Sequence, residues 1–143
     1  MNFSSAIVLT APLVTATSSC SKLLLRVTNT TGIILSNEDL RYSNFMDCHW
    51  NISSNAMLQL VFDHFGTNAA DSLKVYDGGS SSSPLIGSFT GFSLPGPIFS
   101  ASGKLHLRFT TDGSGTNYGF LANYRGMLLP TNIRLSPDLT SLH

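Results

Sequence analysis

Three stretches of the chain alternate apolar and polar positions with the period of a half-buried strand. Leu58, Leu60 and Phe62 alternate with Met57, Gln59 and Val61, and Leu105, Leu107 and Phe109 with His106 and Arg108. Phe120, Ala122 and Tyr124 alternate with Leu121 and Asn123. Leu60, Phe62, Leu107, Phe109 and Phe120 are therefore expected to face a core, as is Trp50. Shorter strands are predicted at Leu23 to Thr28, Gly32 to Leu35, Cys48 to Ile52, Leu73 to Tyr76 and Leu85 to Phe89. Turn-rich runs such as Asp77-Gly78-Gly79 and Asp112-Gly113-Ser114-Gly115 separate them. No stretch has a helical period long enough for the crossovers that parallel strands require. The pattern predicts an all-β fold, an antiparallel sandwich or barrel.

Composition narrows the class. A length of 143 residues suits one domain with its own core. Only 11% of residues are charged and the formal net charge is zero, so there is no basic field for a nucleic-acid backbone. No run approaches the roughly 20 apolar residues of a membrane span. Ala6 to Val14 is mostly apolar and leads into the small residues Val14-Thr15-Ala16, but no Lys or Arg precedes it and Pro12 interrupts it. Residues 1–19 are thus read as a leader, either a cleaved signal peptide or a Ser/Thr-rich extension. The domain is expected over 20–125. Past Arg125 the alternation stops, and 126–143 reads as a tail or linker.

Candidate chemistry is sparse. Cys20 and Cys48 stand 28 positions apart. They suit a disulfide, and two buried thiols are the alternative; without a Cys-x-x-Cys or closely spaced His, thiolate metal binding fits poorly. Sequons begin at Asn2, Asn29 and Asn51 and matter only on a secretory route. His49, His64 and His106 lie in or beside strands with no partner at ligand spacing, and are expected to be structural. Asp63 and His64 cannot serve one catalytic triad, because neighbours on a strand point to opposite faces. No nucleophile elbow is present, and no catalytic residue is expected.

The order of these pieces resembles the CUB domain, a family of extracellular β-sandwich modules. Cys20 is followed by Thr31-Gly32-Ile33, Tyr42 and Asp47-Cys48-His49-Trp50-Asn51-Ile52, which is similar to the family's Cys-x-Trp-x-Ile strand. Leu58 to Phe62 with Phe65 come next, then Asp71-Ser72-Leu73-Lys74-Val75-Tyr76-Asp77-Gly78, which resembles Asp-x-Leu-x-Val-x-Asp-Gly. Leu105 to Asp112 and Gly119 to Tyr124 complete the match. Two departures stand out. The family's second disulfide is absent, with Thr90 where one partner would stand, and Ser36-Asn37-Glu38-Asp39 replaces a proline-rich run.

The resemblance implies a Cys20–Cys48 bridge, worth roughly 3–4 kcal/mol in the chain-entropy model. It also implies a calcium site, with Asp71 and Asp112 at two acidic positions. The third acid is missing, and the short loop before Asp71 offers Thr67 and Asn68 in its place. Asp71, Asp112 and Asn68 are the candidate ligands, weak in combination because ligand charge tunes calcium affinity; the alternative is that Asp71 and Asp112 bond turn amides. Asp71 and Asp112 are expected to meet at one end of the sandwich, with either an ion or a donor such as Tyr42 or Asn68 between them, or with a raised proton affinity in one acid. Tyr76 and Tyr118 are candidate anchors for a partner near the loops. By resemblance the partner is an extracellular protein or a glycan. The alternative is a structural protein that associates with copies of itself.

Overall fold

The computed structural model describes residues 11–20 and 23–127, with the strand pair Val8–Leu9 and Ile133–Arg134 beyond them. The strands are β1 (Val8–Leu9), β2 (Val14–Ser18), β3 (Leu24–Arg26), β4 (Thr31–Leu35), β5 (Asp47–Ser54), β6 (Met57–Gly66), β7 (Ser72–Asp77), β8 (Leu85–Phe89), β9 (Ile98–Ser100), β10 (Lys104–Thr110), β11 (Gly119–Met127) and β12 (Ile133–Arg134). Sheet I runs β2-β5-β10-β7-β8 and sheet II runs β3-β4-β11-β6-β9, while β1 and β12 pair with each other. All pairings are antiparallel. The expected two-sheet sandwich is what the chain forms.

Alternation along each strand puts one set of side chains between the sheets. Trp50 and Ile52 of β5, Leu105, Leu107 and Phe109 of β10, and Leu73 and Val75 of β7 line the inner face of sheet I. They meet Leu58, Leu60, Phe62, Phe120 and Ala122 of sheet II. Phe120 is the hub: Trp50 packs on it edge to face at 5.7 Å between centroids, Phe109 at 5.3 Å and Phe62 at 5.9 Å. Burial of each such ring is worth about 1.5–3 kcal/mol, and the edge-to-face geometry adds to it.

Strands also lie on both sides of the expected 20–125. Val14–Ser18 is the edge strand β2, in register with Ser54 to Trp50 of β5 and with Val14 buried. Only one large apolar side chain marks that strand, and Thr and Ala fill the rest, so alternation was faint. At the other side Gly126 and Met127 still pair with β6, so the sandwich passes Arg125. Strand β9 was also illegible, being three residues long and following Pro95-Gly96-Pro97. Of the expected strand over Leu23 to Thr28 only Leu24–Arg26 forms. Asn2 lies outside the described residues.

The topology sorts the loops. The connections 36–46, 67–71, 90–97 and 111–118, which follow β4, β6, β8 and β10, all emerge at one end. At the opposite end Asn55 and Ala56 join β5 to β6 and 101–103 join β9 to β10, while 78–84 join β7 to β8. Cys20 and Cys48 are joined, 5.4 Å apart between Cα atoms, which pins the segment after β2 to the start of β5 beside the long loops.

Candidate functional site

Asp71 and Asp112 are brought together by the loops 67–71 and 111–118. Asp71 is fully buried. Its Oδ1 accepts the Asp112 backbone N–H at 2.9 Å and its Oδ2 accepts the Tyr42 hydroxyl at 2.5 Å. Tyr42 is itself buried, packed edge to face on Phe109 at 5.2 Å. Burial and the hydrogen bond to Asp71 push its hydroxyl up to about 12, so Tyr42 remains a donor. The Tyr42 oxygen in turn accepts the Asn68 N–H at 3.0 Å. Asp112 caps its own turn, with Oδ1 accepting the Ser114 N–H at 3.1 Å. Asn68 presents Oδ1 to Asn117, whose Nδ2 donates at 3.1 Å. Gly115, at φ +86, leaves the space into which the Asn68 amide reaches.

Hydroxyls hold the short loop where the second bridge would have been. Thr90 Oγ1 donates to the Asp71 carbonyl at 2.7 Å and lies 3.2 Å from Thr67 Oγ1, which accepts the Gly91 N–H at 3.0 Å. Neutral hydrogen bonds thus join the end of β8 to the loop before β7.

The loop 36–46 folds over this centre. Arg41 donates to the Thr116 carbonyl at 2.6 Å, the Tyr42 N–H to that of Asn117 at 3.0 Å, and the Phe45 N–H to that of Asp112 at 3.0 Å. Phe45 has φ +57, a left-handed backbone that is unusual for a bulky residue, and its ring lies over Gly113, where a Cβ would collide with it. Yet Phe45 is 81% exposed, and Leu40 91%, Phe92 63% and Tyr118 43%. Phe92 and Tyr118 pack at 6.1 Å and Leu40 borders one groove with Tyr118, so these exposed apolar side chains form a collar on the loops at the same end as the acidic centre. Sequence reasoning missed Leu40, Phe45 and Phe92; a loop position carries no alternation to mark a side chain as unexpectedly exposed. Tyr118 is at this end, its hydroxyl donating to the Phe65 carbonyl at 3.0 Å. Tyr76 is not: it lies in β7, half-buried on the outer face of sheet I.

That outer face holds a second constellation. His49 and His106 have no partner at ligand spacing in the sequence, but the register of β5 on β10 sets them diagonally, with His49 Nδ1 3.0 Å from His106 Nε2. Asp47 Oδ1 lies 3.0 Å from His49 Nε2, and Arg108 holds Asp47 through Nε and Nη2 at 2.9 and 3.0 Å. His106 Nδ1 faces Asn51 Oδ1 at 2.8 Å. Burial, then the His49 and Arg108 charges, lower the pKa of His106, which is 5% exposed although it points outward. Asp47 is held below the usual carboxylate range by the Arg108 guanidinium. His64 stands apart, against Tyr118 at 5.8 Å. Among the described residues no three His, Cys, Asp or Glu converge as metal ligands.

Comparison with known proteins agrees with this architecture. The family model described as "CUB domain" matches residues 20–124. Cubilin of Canis lupus familiaris is 41% identical over 86 residues, 55% of this chain and 2% of that protein. Cubilin of Sus scrofa is 33% identical over 121 residues, covering 78% and 3%. Tolloid-like protein 2 of Mus musculus is 33% identical over 105 residues, covering 68% and 10%. The chain therefore spans no more than a tenth of the curated relatives it matches. Among solved structures, the MASP-1 CUB2 domain bound to Ca2+ superposes with a TM-score of 0.63 at 30% identity, over 75% of this chain and 100% of that one. The CUB1-EGF-CUB2 region of human MASP-1/3 gives 0.60 at 26%, over 76% and 49%. With its motifs in order, its two five-stranded sheets and its Cys20–Cys48 bridge, this chain belongs to the CUB domain family.

Proposed function

We propose that the domain is a non-catalytic extracellular module that binds another protein through the loop end of the sandwich. The observation that carries this reading is the apolar collar of Leu40, Phe45, Phe92 and Tyr118 at the same end as a buried acid. Large side chains left in water beside an ordered polar centre are the usual make-up of a recognition surface. Glu38 and Asp39 in the same loop are exposed, so a partner that brings a basic group among apolar contacts fits best. Capture from the native extracellular medium by wild type and by Leu40→Ser/Phe45→Ser tests it. The wild type should retain a partner that the variant loses. Equal capture would sink the assignment, and concentration-dependent sedimentation of the wild type alone would favour self-association. A glycan array run in parallel separates a carbohydrate ligand from a protein.

Calcium belongs to the same reading. The buried carboxylate of Asp71 has only neutral donors, and no Lys or Arg pairs with it or with Asp112 among the described ion pairs. A buried charge without a counterion favours a cation nearby. The donor set suits a hard ion: Asp71, Asp112 and Asn68 supply oxygens, with water and carbonyls for the remainder of six to eight. The MASP-1 CUB2 domain, at 30% identity, was solved bound to Ca2+. In this chain the ion would offset the acidic charge and tie 67–71 to 111–118. With two carboxylates the affinity should fall near the 10⁻⁴–10⁻³ M range of extracellular modules, at order of magnitude. A thermal melt in millimolar calcium should exceed that in chelator, and Asp112→Asn should abolish the difference. Identical wild-type melts would remove calcium while leaving the binding surface intact.

Asn29, exposed in the turn before β4, is the better glycan acceptor. The Asn51 amide lies mid-strand and is engaged by His106.

A further inference from the structure

The His49–His106 pair on the outer face of sheet I lies outside the loop-end site, and its proton positions follow from its neighbours. The oxygens facing the outer nitrogens, Asp47 Oδ1 at 3.0 Å and Asn51 Oδ1 at 2.8 Å, only accept. With the Asn51 oxygen facing His106, each outer nitrogen carries its hydrogen. In two neutral rings the inner nitrogens, His49 Nδ1 and His106 Nε2, then present lone pairs to one another at 3.0 Å. Two lone pairs at that distance repel unless a cation lies between them. One shared proton satisfies the contact, whereas a second proton would set two donors face to face. The geometry is that of a holder for a single cation.

We propose that this pair is a binding site for a borderline transition-metal ion, represented by Zn2+, which displaces the shared proton and is held by His49 Nδ1 and His106 Nε2 with water completing its shell. Three features of the surroundings fit. Zinc–nitrogen bonds of about 2.0–2.1 Å at a tetrahedral angle need inner nitrogens roughly 3.3–3.4 Å apart, a few tenths of an ångström beyond the present spacing. The outer nitrogens already have the oxygen partners that orient ligating histidines and raise their basicity, Asp47 for one ring and Asn51 for the other. The ring orientations are set by the β5–β10 register and not by a mobile loop. The cationic neighbours Arg108, Lys74 and Lys104 do not forbid it. Arg108 is engaged by Asp47, and a divalent ion replacing a proton adds only one further positive charge.

The test uses the full disulfide-bonded chain and zinc chloride. Calorimetry should show one site, with one proton released to buffer and binding that weakens as pH falls below neutral. Imidazole nitrogen resonances should shift at His49 Nδ1 and His106 Nε2. His49→Gln, at a partly exposed position that tolerates replacement, should lower zinc affinity about tenfold or more, and Asp47→Asn about tenfold by freeing the ring. His64→Gln, at the loop end, should leave zinc binding unchanged. No heat with millimolar zinc would overturn the proposal. So would equal affinity in His49→Gln, or loss of binding in His64→Gln, which would move zinc to the loop end.

Discussion

Strand β7 carries an aspartate at each end, and the two acids have opposite fates. Asp77, at its C-terminal end, sits among tight turns and accepts hydroxyls from Ser100 at 2.8 Å and Ser102 at 2.5 Å. The Ser102 and Ser100 hydrogen bonds, acting against some desolvation, hold it below the usual carboxylate range. Asp71, just before the strand, is fully buried, takes one hydroxyl and one amide, and lies under loops that carry an exposed apolar collar. One acid stabilises a turn. The other organises loops that present a surface. Antiparallel topology places the two at opposite ends of the sandwich, because the strand carries one acid to each end.

The contrast can be broken most severely through the core. Phe109→Ala should cost about 3–5 kcal/mol by leaving a cavity. Phe109 backs Tyr42, so any stabilisation by calcium should vanish as well. Leu105→Ala, toward the hairpin end of the same strand, should cost about 2–5 kcal/mol and leave the calcium response in place. Arg108→Ala, on the outer face between them, should cost under about 1 kcal/mol. Equal losses at Phe109 and Arg108 in denaturant melts would contradict the strand register.

Next in size is the bridge. Reducing Cys20–Cys48 should remove roughly 3–4 kcal/mol and lower the melting temperature by several degrees. Hydrogen exchange should quicken in 36–46 before it quickens in 101–103. A uniform change along the chain would show that the bridge acts only through the unfolded state.

Tyr42→Phe removes one of the two donors to a buried carboxylate and should cost about 1–3 kcal/mol. Ser102→Ala takes a donor from a carboxylate that keeps Ser100, and should cost under about 1 kcal/mol. If the two match, the burial of Asp71 has no energetic consequence.

The smallest effect is the pH dependence of the hairpin end. A depressed carboxylate pKa means that the Asp77 contribution is complete above its unfolded value of 3.8 and is lost as pH falls through the lower folded value. Ser100→Ala should raise the Asp77 titration midpoint, read by carboxyl carbon shifts, toward 3.8. An unchanged midpoint would mean that the hydroxyls do not set it.

Much of this was legible before any coordinates. Strict alternation marked Leu60, Phe62, Leu107, Phe109 and Phe120 as core, because a strand has one dry face and one wet face. Motif order singled out Asp71 and Asp112 as one pair, and Tyr42 or Asn68 as donors near them. The collar of Leu40, Phe45 and Phe92 was not legible, since a loop residue's exposure depends on what folds beneath it. Strand β2 was missed because Thr and Ala write a weak pattern, although backbone pairing with β5 needs no apolar side chain.

The sequence by itself determined the longer strands, the sheet faces they present and most residues between the layers, all consequences of local period and of apolar surface leaving water. Tertiary structure alone decided which distant residues meet. His49 and His106 are 57 positions apart, and no spacing rule joins them. Their contact comes from the register of β5 on β10, and a shift of one residue in that register would turn one of the two rings away to the opposite face.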